Sequence, residues 1–511
     1  MKQLLPILIA CSLVACGSPP APAPVPPPAS AAAPPPPPPK DPLAEPPASG
    51  ITPSASFPSI ARRKLENGLE LAVISRKTLP IVELRLVFGS GVSSDTDKAG
   101  LAAVAGELTK AGGAGPWNAE ALLERAESLG ADLNVLTDRD STRVSLGVTT
   151  ADVDPALEIL AAVATKPRFD AREFAKLRTR EVERARSSAK SSAGYAAAML
   201  LYRELFEVPT AIHPYSRYDA LPAELAKLTL ADCKAWHKQH MTPRNAVLIA
   251  AGDVDVESFA KAAEKAFAGW QGEKPPAPTF SDPQPEAERH IYLVDRPATG
   301  QAQVLVGRLG PVRQTKDWPA LAVMNQVLGG GVAGRLFLDV REKRSLAYST
   351  GSSIEEPARS PVPIVLSAGT QTDKAPQAVQ ALLENLDKLG GAPPSAAEIE
   401  IASRYLSDSF LFKTETVGAL ADMTAKLAIL GLPDDYYDEY RKAVRSIDAA
   451  GAAAQVGKFF RSDRIVIVVA GDASKLATRL THFAKVIIVD PQNGFQPGKM
   501  LPRNPSQSLL P

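Results

Sequence analysis

This chain is poor in cysteine, histidine and aromatic side chains, and it carries almost no net charge. Three cysteines in 511 residues exclude a disulfide framework of the kind that staples small exported domains, and a chain this long buries a full core without one. Lys plus Arg number 57 against 56 Asp plus Glu, a formal net charge of +1, so nothing recommends nucleic acid or an acidic membrane surface as the main partner. The apolar run at residues 4–10 is too short to cross a bilayer. Five histidines, His213, His237, His240, His290 and His482, leave little room for imidazole chemistry. Only His237 and His240 stand close together, spaced i and i+3: a pair able to hold a metal or to serve in surface and turn packing, with no obvious acidic partner beside it.

The first residues carry an export pattern. Lys2 supplies a positive start, residues 4–10 the apolar run, and Leu13-Val14-Ala15-Cys16 a small-residue end, the three parts of a secretory signal. The tetrapeptide resembles a bacterial lipoprotein box, which implies cleavage before Cys16 and acylation of its thiol. Gly17 in place of Asp then implies the outer membrane; the alternative is an ordinary secretory signal with an incidental Cys. On this reading residues 1–16 are a lipoprotein signal, Cys11 leaves with it, and Cys233 is the one ordinary thiol of the mature chain, so no intrachain disulfide forms. Residues 17–55 are a Pro- and Ala-rich disordered linker with an unbroken proline run at 34–39. That composition cannot build a core, and polyproline II geometry makes residues 19–50 a semi-rigid spacer on the order of 100 Å long.

Beyond the spacer, periodicity takes over. Residues 69–74 and 81–88 alternate as strands, 98–110 has helical spacing with Ala, Leu and Val inward, and Asn118 caps a helix that Gly130 closes. Residues 143–148 read as a strand, 153–164 as a helix, 171–206 as one or two long helices, and 246–251 as a closing strand. After a Pro-rich break the pattern returns: RNAVLIAAGDVD around Gly252 is matched by DRIVIVVAGDAS around Gly471. The same order of strands, helices and closing strand in both halves indicates duplication. The expected fold is therefore α+β, with two duplicated domains at 56–272 and 288–488, each a mostly antiparallel sheet covered by helices. A linker at 273–287 joins them and a C-terminal tail occupies 489–511. Cys233, in ADCKAWHKQH, is expected half-buried on a helix in a structural role.

The segment LGGGVAGRLFLDVREKRSLAYST, residues 328–350, concentrates the chemistry; it places Arg341 and Tyr348 seven residues apart across an expected helix-to-strand junction. A guanidinium stays charged at any working pH and a phenol adds a neutral donor, so together they are able to steady a peptide carbonyl as it turns tetrahedral. Gly329, Gly330 and Gly331 lack the Lys-Ser or Lys-Thr of a phosphate loop and read on their own as a plain loop. Glu342, Lys343 and Arg344 read as a solvated charge run. With KLENGLELAVI, GADLNVLTDRDSTRVSL, the His213-Pro214-Tyr215 turn, MTPRNAVLIAAGD and LGLPDDYYDEYRKAV, the segment resembles the insulinase and mitochondrial processing peptidase family over residues 57–488. The resemblance implies an insulinase-type half-clamshell in which Arg341, Tyr348 and the three glycines grip substrate.

Family members that cleave peptides carry HxxEH on the first long helix, which sets both His on one face around zinc and lets the Glu activate its water. This chain has GLAAVAGEL there, so Ala103 matches the first His, Gly106 the Glu and Glu107 the second His. The family's further ligand, a Glu on a later helix, falls on Glu183 or slips to Arg184. The resemblance then implies no metal and no catalytic residue on this chain alone, zinc on an HxxEH-bearing partner, and unfolded peptide as substrate. The expected role is a non-catalytic, peptide-gripping subunit of a heteromeric zinc peptidase, lipid-anchored at the outer membrane and facing the periplasm. A stand-alone peptide-binding or scaffolding lipoprotein, and an active peptidase with an unrecognised metal site, are the alternatives. The anchor has a direct check: Cys16→Ser is expected to leave the membrane fraction or to stall in maturation, and unchanged membrane attachment refutes the lipid.

Overall fold

The computed structural model describes residues 56–95, 97–208, 212–284 and 288–510; the signal, Cys16 and the Pro-rich linker lie outside the described residues. In the first half, alternating apolar residues build six strands: β1 (Ala61–Lys64), β2 (Glu70–Ser75), β3 (Ile81–Phe88), β4 (Asn134–Thr137), β5 (Thr142–Thr149) and β6 (Ala246–Gly252). They line up as β1-β2-β6-β3-β5-β4, antiparallel throughout except for β2 beside β6. β6 ends at Gly252, whose φ is +138° and where a Cβ would stand 2.1 Å from the Ile81 carbonyl oxygen. Only glycine fits that closure.

The helices of this half are α1 (Leu101–Ala111), α2 (Ala119–Glu127), α3 (Val153–Thr165), α4 (Ala171–Ser191), α5 (Ala193–Leu205), α6 (Pro222–Leu225), α7 (Leu230–His240) and α8 (Val256–Ala266). Asn118 accepts the Ala121 N–H and starts α2. The stretch expected as one or two long helices is two, divided at Ser192, which is extended and accepts the Tyr195 N–H, ending α4 and starting α5. Leu71, Val82, Leu84, Leu86 and Leu248 form one sheet face and pack against α1, α3 and α7. Cys233 lies fully in that core rather than half-buried, and burial pushes its thiol up to about 12, which leaves it unreactive at neutral pH.

The second half repeats the arrangement with β7 (His290–Asp295), β8 (Gln301–Val312), β9 (Ala347–Ile354), β10 (Pro361–Gln371), β11 (Val466–Gly471), β12 (Lys485–Asp490) and β13 (Gln496–Leu501), ordered β13-β12-β7-β11-β8-β10-β9. Within it, β7-β11-β8-β10-β9 reproduces β2-β6-β3-β5-β4, including the single parallel pair at the same place. Duplication is thus visible in topology as well as in the closing strands. Residues 489–511, expected as a tail, instead supply β13, which pairs with β12 through Val486 opposite Leu501 and Ile487 opposite Met500. The helices are α9 (Trp318–Gly329), α10 (Ala375–Gly391), α11 (Ala396–Asp408), α12 (Phe410–Lys413), α13 (Val417–Leu430), α14 (Tyr436–Arg445), α15 (Ala449–Phe459) and α16 (Ala473–Leu480).

Each half lends the other a helix. Ala196, Ala197, Leu200, Leu201 and Leu205 of α5 pack on Val294, Leu305, Val468 and Ala470 of the second sheet. In return Val417, Leu420, Ala421 and Ala425 of α13 pack on Ala72, Ile74, Ile249 and Ala251 of the first. Gly307 of β8 makes room for α5, because a Cβ there would sit 2.8 Å from the Leu201 Cδ1. A buried carboxylate latches the same boundary. Asp140 Oδ1 accepts from the Tyr215 hydroxyl (2.5 Å), Ser93 Oγ (3.1 Å) and Arg359 Nη1 (3.2 Å), and its Oδ2 accepts from the Ala358 N–H (2.8 Å). Both carboxylate oxygens are thus engaged, which is what makes burying the charge tolerable. Asp140→Ala is expected to cost ~3 kcal/mol, since it removes the charge partner of Arg359 and leaves the buried Ala358 N–H and Tyr215 hydroxyl without their acceptor. Urea unfolding should show that loss in one cooperative transition of both halves; a loss under ~1 kcal/mol would mean that the latch is idle.

Candidate functional site

The site begins where α9 ends. Gly329 is buried against β9, and a Cβ there would stand 2.7 Å from the Ser352 backbone nitrogen, so this glycine is consumed in packing helix against strand. Gly330 is exposed and Gly331 half-buried. The chain then turns into a π-helical stretch, Phe337–Lys343. Its wide turns show in the Arg344 N–H donating to the Asp339 carbonyl (3.0 Å) five residues back. Such widened turns recur at functional sites because they re-aim side chains. Here the Arg341 guanidinium carbon comes to lie 4.8 Å from the Phe337 ring centroid and 5.6 Å from that of Tyr348, within cation–π range.

Tyr348 is the second residue of β9, the edge strand of its sheet, and is 85% exposed; the Arg341 side chain is 41% exposed. The structure therefore brings these two together at one surface. Arg341, Tyr348, Ser345, Gln301, Gln371 and Lys374 line a groove of ≈ 550 Å³, with Ala193 at the start of α5 on its far side. Gly329, Gly330 and Gly331, expected to grip substrate with them, do not line this groove. The edge of β9 leaves backbone groups open for an extended peptide to pair with.

Arg344, expected in a solvated run, instead anchors this segment. It donates to Asp339 (3.1 Å) and Glu384 (2.7 Å), while Asn385 donates to Asp339 (2.7 Å), tying the π-helical stretch to α10. The Asn385 and Arg344 donors hold the Asp339 carboxyl below its usual range, against the burial that would raise it. No ordinary helical spacing pairs residues five apart, so Arg344 gave no signal in the sequence. Lys374 and Gln301 were also missed, since they reach the groove from a turn and from the start of β8, both remote in sequence from Arg341.

The residues that the resemblance assigns to the zinc motif lie on α1 and do not fit the metal. Ala103 is exposed and has no donor atom. Gly106 is nearly enclosed, and a Cβ there would meet Thr137 Oγ1 at 2.6 Å. Glu107 forms ion pairs with Lys110 (3.3 Å) and Arg180 (3.9 Å). Glu183, 61% exposed, pairs with Arg186 (2.5 Å), and Arg184 with Asp219 (2.8 Å). Cations thus stand near Glu107 where a zinc site needs neutral or anionic donors. His237 bonds the Ala164 carbonyl (2.9 Å) and His240 the Ser90 hydroxyl (3.0 Å), so the two rings serve separate partners. Burial lowers the pKa of His240 to about 4 and of His213 to about 4. Among the described residues no group of three or more His, Cys, Asp or Glu is arranged to hold a metal ion.

Comparison with known proteins assigns this architecture. Residues 71–210 match the family model Insulinase (Peptidase family M16), and residues 227–406 match Peptidase M16 inactive domain. The chain belongs to the insulinase family. It is 26% identical to an uncharacterized zinc protease of Mycobacterium tuberculosis over 63% of this chain and 71% of that one. It is 24% identical to the zinc protease PqqE of Helicobacter pylori over 72% of this chain and 84% of that one. The crystal structure of a peptidase M16 inactive domain from Pseudomonas fluorescens superposes with a TM-score of 0.74 at 24% identity, covering 81% of this chain and 98% of that one. A protease from Helicobacter pylori gives 0.75 at 20% identity, covering 81% and 99%. These two structures share the fold.

The purified chain is expected to hold no stoichiometric zinc. Ala103→His, Gly106→Glu and Glu107→His together are expected not to create a site, because Thr137 occupies the space of a Gly106 side chain and Glu183 is bonded elsewhere. Metal analysis after dialysis checks both; one retained zinc per chain in either protein overturns the assignment of α1 as a dead metal position.

Proposed function

We propose that this chain is the non-catalytic, peptide-gripping subunit of a heteromeric insulinase-type zinc peptidase, lipid-anchored through Cys16 at the outer membrane and facing the periplasm. The observation that carries the reading is the contrast between its two halves. Arg341 and Tyr348 converge on an open groove beside an unpaired strand edge, whereas the corresponding metal position on α1 is filled by Thr137 contacts and a Glu107–Lys110–Arg180 cluster. Catalysis then comes from an HxxEH-bearing subunit of the same family, with zinc on that partner. This chain holds the unfolded peptide and presents one charged and one neutral donor to the carbonyl under attack. A donor aimed at a developing oxyanion is commonly worth ~10² to 10³ in turnover.

With the zinc subunit supplied, Arg341→Ala and Tyr348→Phe are expected to lower turnover ~10²-fold or more each, with assembly and thermal stability unchanged. Lys343→Ala, exposed on the same stretch, is the control. If all three variants behave alike, the segment is only structural. If the wild-type chain binds peptide but never associates with an HxxEH subunit, a stand-alone peptide-binding lipoprotein replaces the proposal.

A further inference from the structure

We infer that the groove beside Arg341 and Tyr348 selects peptides that present a carboxylate. This deepens the peptide-gripping reading and rests on it. The two ionic side chains that line the groove, Arg341 and Lys374, are both cations, and among the described residues no Asp or Glu lines it. The same segment elsewhere matches its cations closely: Arg335 donates to both oxygens of Glu398 (2.7 and 3.0 Å), and Arg344 to Asp339 and Glu384. The carboxylate beside Arg341 is that of its chain neighbour Glu342, at 3.6 Å and beyond hydrogen-bond length. The planar guanidinium fork suits a carboxylate held in two places. Lys374 Nζ donates to the Ser345 carbonyl (3.0 Å), which uses one of its three N–H groups and leaves two.

A further feature suits a carboxylate ligand. Gln301, Gln371 and Ser349 supply neutral donors around the same space, and Tyr348 offers a ring face to whatever side chain flanks the acid. The carboxylate has two sources in a peptide, an acidic side chain or a free C-terminus.

The test uses the folded chain and four fluorescently labelled ten-residue peptides of one neutral sequence, with Asp-Glu or Asn-Gln at the centre and each with a free or an amidated C-terminus, read by anisotropy. A carboxylate-bearing peptide is expected to bind ~10-fold more tightly than the Asn-Gln amide at low salt, with the advantage shrinking as salt rises. Lys374→Ala is expected to remove most of that advantage and Lys374→Arg, which keeps the cation, to retain it; circular dichroism confirms that both variants fold. An advantage that tracks Asp-Glu supports the side chain as ligand, and one that tracks the free end supports the C-terminus. Equal affinity for all four peptides overturns carboxylate selection and leaves the gripping role standing. Binding of none of the four overturns both.

Discussion

Each sheet of this protein is apolar on both faces, and a half on its own covers only one of them. Leaving Ile74, Ile249 and Ala251 of the first sheet, or Leu305, Val468 and Ala470 of the second, in water would expose a contiguous apolar surface of a kind that folded chains avoid. The exchange of α5 for α13 removes it from both sheets at once. The placement of the latch and of the groove both depend on this reciprocity. It brings the Asp140 carboxylate of one half under Ala358 and Arg359 of the other, and it carries Ala193 to the edge of the groove that holds Arg341.

The two duplicated halves have diverged in what their surfaces do. On α1, the positions that the resemblance assigns to the metal carry one residue without a donor atom, one without a side chain and one carboxylate pinned between Lys110 and Arg180. Local electrostatics there is settled internally, by short-range pairs among residues of the first half. At the junction into β9 the opposite holds: Arg335 and Arg344 are matched by carboxylates, and Arg341 is turned outward onto Phe337 and Tyr348. A site that binds something needs an interaction its own chain has left unmade, and of these two positions the junction into β9 is the one that has it.

Much of the fold was legible because its signals are local. Alternation at β3, the Asn118 cap and the two closing strands each depend on residues a few positions apart, and their repetition in one order revealed the duplication. The misses have local causes too. β13 is exposed along nearly all of its length, so it shows no alternation and reads as a tail. Arg344 pairs across a π-helical spacing that no regular period anticipates. At the site, Arg341 and Tyr348 could be found from their spacing, whereas Lys374 and Gln301 come from a turn and a strand start remote in sequence.

The sequence by itself determined the type and order of the elements, the kinship of the two halves and the absence of the zinc motif on α1, because residue identity and short-range periodicity suffice for each. Only the tertiary structure decided which half covers which sheet face, that Thr137 fills the space beside Gly106, that Gly329 is spent on packing, and that the groove carries two cations and no acid. Those outcomes depend on contacts between residues far apart in the chain, and a contact at such separation leaves no period, cap or spacing to read.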